Sequence, residues 1–181
     1  MKILVQNSIF FPNVIGGAEI SSHLLALQLA QRGWQVDALA TSGRRDGPAG
    51  LSTRPLGDTG GQVFEATSAG FYDLYRDGGP APAPGILIRG LHHFAAVHSP
   101  RWLKLAREAL DRTRPDLLHT NTIVGMTPVV WQAARERNIP VVHTLRDYHL
   151  LCPRTTLLRS NGAECENKPL PCAVLARLKL A

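Results

Sequence analysis

The amino-acid sequence predicts an α/β domain: an open parallel sheet with helices on both faces. Three observations carry this. Short apolar runs at Lys2-Ile3-Leu4-Val5-Gln6 and from Trp34 to Thr41 flank a leucine-rich amphipathic stretch, the pattern of a βαβ unit with a right-handed crossover. The same alternation returns from Asp116 to Leu145. Each apolar run also ends in polar residues where the chain leaves the sheet: Gln6-Asn7, Thr41-Ser42, His119-Thr120-Asn121 and Thr144-Leu145-Arg146-Asp147. Parallel strands put those ends on one rim, and an open α/β sheet holds its ligand crevice there.

Residues 2–6 are too short and too β-branched for a helix, because Asn7, Ser8 and Pro12 follow at once. Phe11-Pro12-Asn13-Val14-Ile15-Gly16-Gly17-Ala18-Glu19 is then a turn into a helix. Gly16 and Gly17 permit φ > 0 and put no Cβ between a ligand and the main chain, while the helix start aims unpaired N–H groups at negative charge. Glu19 stands in the first helical turn, where a negative charge suits the helix dipole. From Ala18 to Arg32 the residues Ile20, Leu24, Leu25, Leu27 and Leu29 recur at helical spacing, and Gly33 supplies the stop.

The middle of the chain carries fewer signals. Ser42 to Gly61 reads as a polar loop, Gln62 to Thr67 as a strand, and Gly78 to Gly85 as a low-complexity link. In the stretch from Ile86 to Val97, His92 and His93 are adjacent and point different ways on any regular element, which argues against a metal pair. Order returns at Ser99-Pro100, an N-cap serine followed by proline at the first helical position, with Trp102, Ala106, Ala109 and Leu110 on one face. That helix ends before Pro115. Leu117 and Leu118 belong to the next strand, Pro128 to Arg137 to the next helix, and Val141 and Val142 to the strand after it. Leu117, Leu118, Val141 and Val142 are expected to lie buried beside a central Ile3–Val5, with His143 turned into the packing and Thr144 the opposite way.

A chain of 181 residues, 44% hydrophobic and 19% charged, supports one packed domain over 1–181. Its first residues turn polar too early for a signal peptide, and no apolar run approaches the ~20 residues that span a bilayer. The expected location is cytoplasmic. A net charge of +6 calls for an acidic partner, but the 20 Lys and Arg are scattered, with Arg44-Arg45 the one local pair. Scattered charge suits the surface of an anionic membrane or a phosphorylated small molecule better than a nucleic-acid groove. Cys152, Cys165 and Cys172 cluster near the end, and with His149 they form an alternative zinc set that lacks a C-x-x-C pair.

Three blocks in order carry a resemblance. The strand with Gly16-Gly17-Ala18-Glu19 comes first, then Pro115-Asp116-Leu117-Leu118-His119-Thr120-Asn121. Ile139-Pro140-Val141-Val142-His143-Thr144-Leu145-Arg146-Asp147-Tyr148 follows, running into Leu150-Leu151-Cys152-Pro153-Arg154. Together they resemble the N-terminal domain of glycosyltransferase family 4, whose members have the GT-B architecture of two Rossmann-like domains. The resemblance implies a retaining transfer from a nucleotide-sugar donor, with no further cofactor, to a glycan or lipid-linked acceptor in cell-surface polysaccharide or glycolipid synthesis. It places the donor phosphate on the Gly16-Gly17 loop, catalytic roles on His119, Asn121 and Glu19, and the acceptor near Arg146, Asp147 and Tyr148. Two departures accompany it. His119-Thr120-Asn121 stands where many relatives have His-x-His, and the C-terminal donor-binding domain with its paired glutamates is absent. Because the chain stops inside the amphipathic run Ala176–Ala181, a fragment that does not turn over by itself is expected. The competing class is a non-catalytic Rossmann-like module that binds a nucleotide sugar or a protein.

Overall fold

The computed structural model describes residues 1–42, 49–67, 75–76, 79–80, 99–122, 126, 128–148, 150, 152, 157–158 and 162–165. Strand β1 (Lys2–Gln6) leads through a loop into helix α1 (Gly17–Gln31) and strand β2 (Gln35–Thr41). Strands β3 (Gly50–Pro55) and β4 (Gln62–Thr67) follow, then a two-stranded antiparallel ladder of β5 (Tyr75–Arg76) and β6 (Gly79–Pro80). Helix α2 (Pro100–Thr113), strand β7 (Leu117–Thr120), helix α3 (Val129–Arg135) and strand β8 (Val141–His143) complete the described elements. Among the described residues the main sheet has six strands in the order β3-β4-β2-β1-β7-β8.

All pairings in that sheet are parallel except β3 with β4. The antiparallel strand corrects the reading of Ser42 to Gly61 as a loop throughout. Residues 50–55 alternate too weakly to announce a strand, because β3 lies at the sheet's edge and only Leu51 of its side chains packs against the core. The link to β4 needs glycine at one point. A Cβ on Gly61 would sit 1.9 Å from the Val36 carbonyl oxygen, an impossible approach.

Helices cover both faces, as expected. On one side, Ile3, Val5, Val36, Ala38, Ala40 and Val63 pack against Ala26 of α1; on the other, Leu4, Leu39, Phe64 and Leu118 pack against Leu105, Ala106, Ala109 and Leu110 of α2 and Val130 of α3. The alternation along β1 follows from the period-2 geometry of a strand. Helix α2 starts as read: the Ser99 hydroxyl accepts from the Trp102 N–H at 3.3 Å, with Pro100 at the first helical position. Helix α1 also stops as read. Gly33 has φ +84°, its N–H donates to Ala30 O at 2.9 Å and the Trp34 N–H donates to Leu29 O at 3.2 Å, a Schellman motif.

Two expectations about burial are corrected. Leu118 is fully buried and Leu117 partly so, but Val141 and Val142 are 39% and 49% exposed. Among the described strands β8 is the outermost on its side, with fewer neighbours than the central β1. On α1, Ile20 and Leu24 face outward, and the residues turned to the sheet are Glu19, Ser22 and Ala26, with Leu29 and Ala30 partly buried. Small residues on that line let the helix lie close to the strands, and the leucines flank it. The remainder of the Gly78–Gly85 link apart from Gly79-Pro80, the stretch with His92 and His93, and the Ala176–Ala181 run lie outside the described residues.

Candidate functional site

The strand order places a topological switch point between β1 and β7. From β1 the chain winds outward to β2 and β4, then returns to β7 and β8 on the other side, and sheets of this order take their ligands at the rim where the winding reverses. Buried polar side chains lie at this point of the rim. The Asn121 N–H and Nδ2 both donate to Gln6 O, at 2.9 and 3.3 Å. The Thr122 N–H donates to Asn7 Oδ1 at 3.0 Å, and Ser8 Oγ donates to Thr122 O at 3.1 Å. These bonds satisfy main-chain groups that two separating strands no longer share.

The glycine turn differs from its expected backbone. Gly16 is extended at φ −154° and caps the helix, Gly17 opens it, and neither enters the left-handed region. What glycine provides at 17 is open space: a Cβ there would meet nothing within 4 Å. The Glu19 carboxylate turns back on its own helix start, where Oε2 accepts the Gly16 N–H at 2.8 Å. This is the returning half of a capping box, and Gly16 has no side chain to complete the other half. Glu19 is 6% exposed, so its charge lies beneath the turn. The loop before the turn is pinned from the other side. The His23 ring stacks on Phe11 at 4.5 Å between centroids and meets Phe10 edge-on at 5.7 Å, and Arg54 Nη2 donates to Phe11 O.

His119 extends β7 on the α1 face of the sheet, level with Val5. Its Nε2 lies 2.8 Å from Thr144 Oγ1. Burial lowers the imidazole pKa, and the charges of Arg146 and His143 lower it further, so the ring is neutral near pH 7 and able to accept a proton or a hydroxyl hydrogen bond. Next to it Asn121 is buried, and its Oδ1 accepts two N–H groups of Arg146. The third contact of Arg146 is Ser21 Oγ on α1. His119, Asn121, Arg146 and the start of α1 therefore meet at one place. Asp147 is half-buried and its charge acts on His143, while the Tyr148 side chain is exposed. His143 packs as expected, edge-on against Trp131 at 5.3 Å between centroids and 2.9 Å from Thr120 Oγ1 through Nδ1.

Sequence reading passed over Ser21, which holds Arg146, and placed Thr144 on the rim without pairing it with His119. A serine near the start of a helix carries no signal until the fold sets it against its partner. Of the alternative zinc set, Cys152 and Cys165 are described, and His149 and Cys172 lie outside the described residues. No group of three or more His, Cys, Asp and Glu is arranged to hold a metal among the described residues. No helix among them is long and apolar enough to cross a membrane.

Comparison with known proteins places this geometry in a family. A protein of Klebsiella pneumoniae, described as an uncharacterized 42.6 kDa protein in the cps region, is 27% identical over 170 residues, covering 94% of this chain and 43% of its own length. The chain thus spans less than half of that relative. Sucrose-phosphate synthase from Thermosynechococcus elongatus superposes with a TM-score of 0.51 at 17% identity over 83% of this chain and 34% of its own, a likeness of fold. The model of the family described as Glycosyltransferase Family 4 matches residues 15–150, from the residue before the glycine turn to beyond Tyr148. With its switch-point rim, its capped glycine turn and a match over most of its length, the chain belongs to glycosyltransferase family 4.

Proposed function

We propose that this chain is the acceptor-side half of a retaining glycosyltransferase that moves a sugar from a nucleotide-sugar donor to a glycan or lipid-linked acceptor. The bond from the sugar to the donor's diphosphate breaks, a bond to an acceptor hydroxyl oxygen forms on the same face, and the nucleoside diphosphate leaves as an anion whose oxygen takes up the hydroxyl's proton. The observation that carries the reading is the meeting of His119, Asn121 and Arg146 with the start of α1 at the switch point. N–H groups at the helix start suit the charge that develops on the departing phosphate. Neutral His119 suits a hydroxyl of the reacting sugar, with Asn121 beside it, and Arg146, Asp147 and Tyr148 suit the acceptor side. The cps-region relative favours capsular polysaccharide as the product. A second, donor-binding domain supplies the other wall of the cleft.

Gly17→Ala tests this in the complete enzyme. The added methyl meets no protein atom within 4 Å, so folding is expected to survive. Transfer is expected to fall at saturating donor, because the methyl stands where the donor approaches the main chain. Wild-type turnover in the folded variant refutes the donor-side role of the turn. Glu19→Gln is the companion: it keeps an oxygen for the Gly16 N–H and removes the charge. If Glu19 only caps the helix, stability drops by about 0.3–1 kcal/mol and turnover holds; if it also bears on the sugar, kcat falls as well in the folded variant.

A further inference from the structure

One side chain links three elements that are far apart in sequence. Arg146 follows β8, yet its Nε and Nη2 each donate to Asn121 Oδ1 at 3.0 Å, and its Nη1 donates to Ser21 Oγ at 2.7 Å across a separation of 125 residues. Both partners pass the connection on. Asn121 holds the end of β1 through Gln6 O, and Ser21 Oγ donates to the Gly17 carbonyl at 2.8 Å. An unbroken series of hydrogen bonds therefore runs from the last residue of β1, through the ends of β7 and β8, to the first residue of α1. Among the described residues no carboxylate forms an ion pair with Arg146. Three of its five N–H donors are spent on these neutral oxygens.

We propose that Arg146 is a positioning residue that braces the Gly16-Gly17 turn against Asn121 and sets a fixed positive charge beside His119. Contact with an acceptor is left to its two remaining N–H groups. The proposal rests on reading this rim as the reacting edge, and it gives that edge a rigid frame. A planar guanidinium is suited to the task because one fork spans an amide oxygen and a hydroxyl at once, which a lysine ammonium on a flexible stem does not reproduce. Without the brace, the start of α1 keeps the contacts of His23 with Phe10 and Phe11 and the Glu19 cap, but loses its hydrogen-bonded link to the ends of β7 and β8. The charged or titratable groups that bear on His119 are Arg146 and His143, so removing the guanidinium leaves His143 as the remaining one.

NMR of the chain separates the two parts of this role. The His119 ring is followed through a pH titration, and amide hydrogen exchange is followed at Ser21 and Ser22 in the first turns of α1. In Arg146→Met the His119 midpoint is expected to rise and exchange at Ser21 and Ser22 to quicken roughly 3- to 10-fold, the size expected for one lost hydrogen bond. Arg146→Lys is expected to keep the midpoint low and still quicken exchange, since it retains charge but not the fork. If Arg146→Met does not fold, Ser21→Ala tests the brace alone, with quicker exchange and an unmoved His119 midpoint. An unmoved midpoint in Arg146→Met, or unchanged exchange in both Arg146→Lys and Ser21→Ala, overturns the proposal. No donor or acceptor enters these measurements, so their failure leaves glycosyl transfer standing, and a failure of the Gly17→Ala test leaves the brace standing.

Discussion

At His119 a strand end, a hydroxyl and a guanidinium act on one ring. Burial comes first in lowering its pKa, and Arg146 and His143 add to it. His23 is lowered by burial and by Arg54, and His143 by burial, partly offset by its bond to Thr120 and by Asp147. Each of these histidines binds a proton less readily in the folded chain than in the unfolded one, whose value is about 6.5. The unfolded chain therefore takes up more protons as pH falls below that value, and linkage makes stability fall with it. Above it all three are neutral in both states and stability is level with respect to them. Tm is expected to be lower at pH 5.5 than at pH 7.5, and His23→Gln is expected to shrink the difference. A Tm that is flat or rises on acidification contradicts the assignment of neutral, partly buried rings.

Helix α1 shows how an element can be found correctly and still be turned the wrong way. Its leucines mark a helix, but Ile20 and Leu24 are 46% and 54% exposed, and the line Glu19, Ser22 and Ala26 faces the sheet. Ala26 is fully buried between strands whose own side chains fill the space. Leu24→Gln is therefore expected to change stability by less than about 0.5 kcal/mol, and Ala26→Leu to cost about 1–3 kcal/mol by overpacking. Urea unfolding of both variants measures this. A larger loss for Leu24→Gln than for Ala26→Leu would mean that the helix presents the other face. The same contrast holds at β8, where apolar Val141 and Val142 look like a core strand and lie at the edge. Helices α2 and α3 are easier to read, since Arg107 forks onto Glu136 and Arg137 onto Asp111 around a packed seam that the spacing of Ala106, Ala109 and Leu110 already shows.

For the molecule as a whole, charge is the property that reaches beyond the rim. The chain carries a formal net charge of +6. If its acceptor is held in a lipid layer, that excess draws the domain to anionic vesicles, and salt weakens the attraction because the screening length is only ~10 Å at 0.1 M. Sedimentation is expected to be greater with anionic than with neutral vesicles at low salt, and the difference to shrink as salt rises. Equal sedimentation with both at low salt leaves the charge as a contribution to solubility alone. The rim and the surface are then separate matters, tested by separate measurements.

Pattern along the chain determined the α/β class, β1, β2, β4, β7 and β8, the caps at Ser99 and Gly33, and the polar strand ends that line one rim, because hydrophobic period and capping are local properties. It also carried the family, since Gly16-Gly17, His119-Thr120-Asn121 and Arg146-Asp147 stand in the right order. The antiparallel edge strand β3, the outward face of α1 and the exposure of Val141 and Val142 were decided only by tertiary structure. Burial of a side chain depends on which elements lie against it, and neighbours in the sheet order are not neighbours in sequence. The candidate site divides the same way. His119, Asn121 and Arg146 are legible as polar residues at strand ends, but the bond from Arg146 to Ser21 joins positions 125 residues apart. No local pattern encodes such a distance, and only the folded sheet, by bringing the ends of β1, β7 and β8 beside the first turn of α1, makes those residues one site.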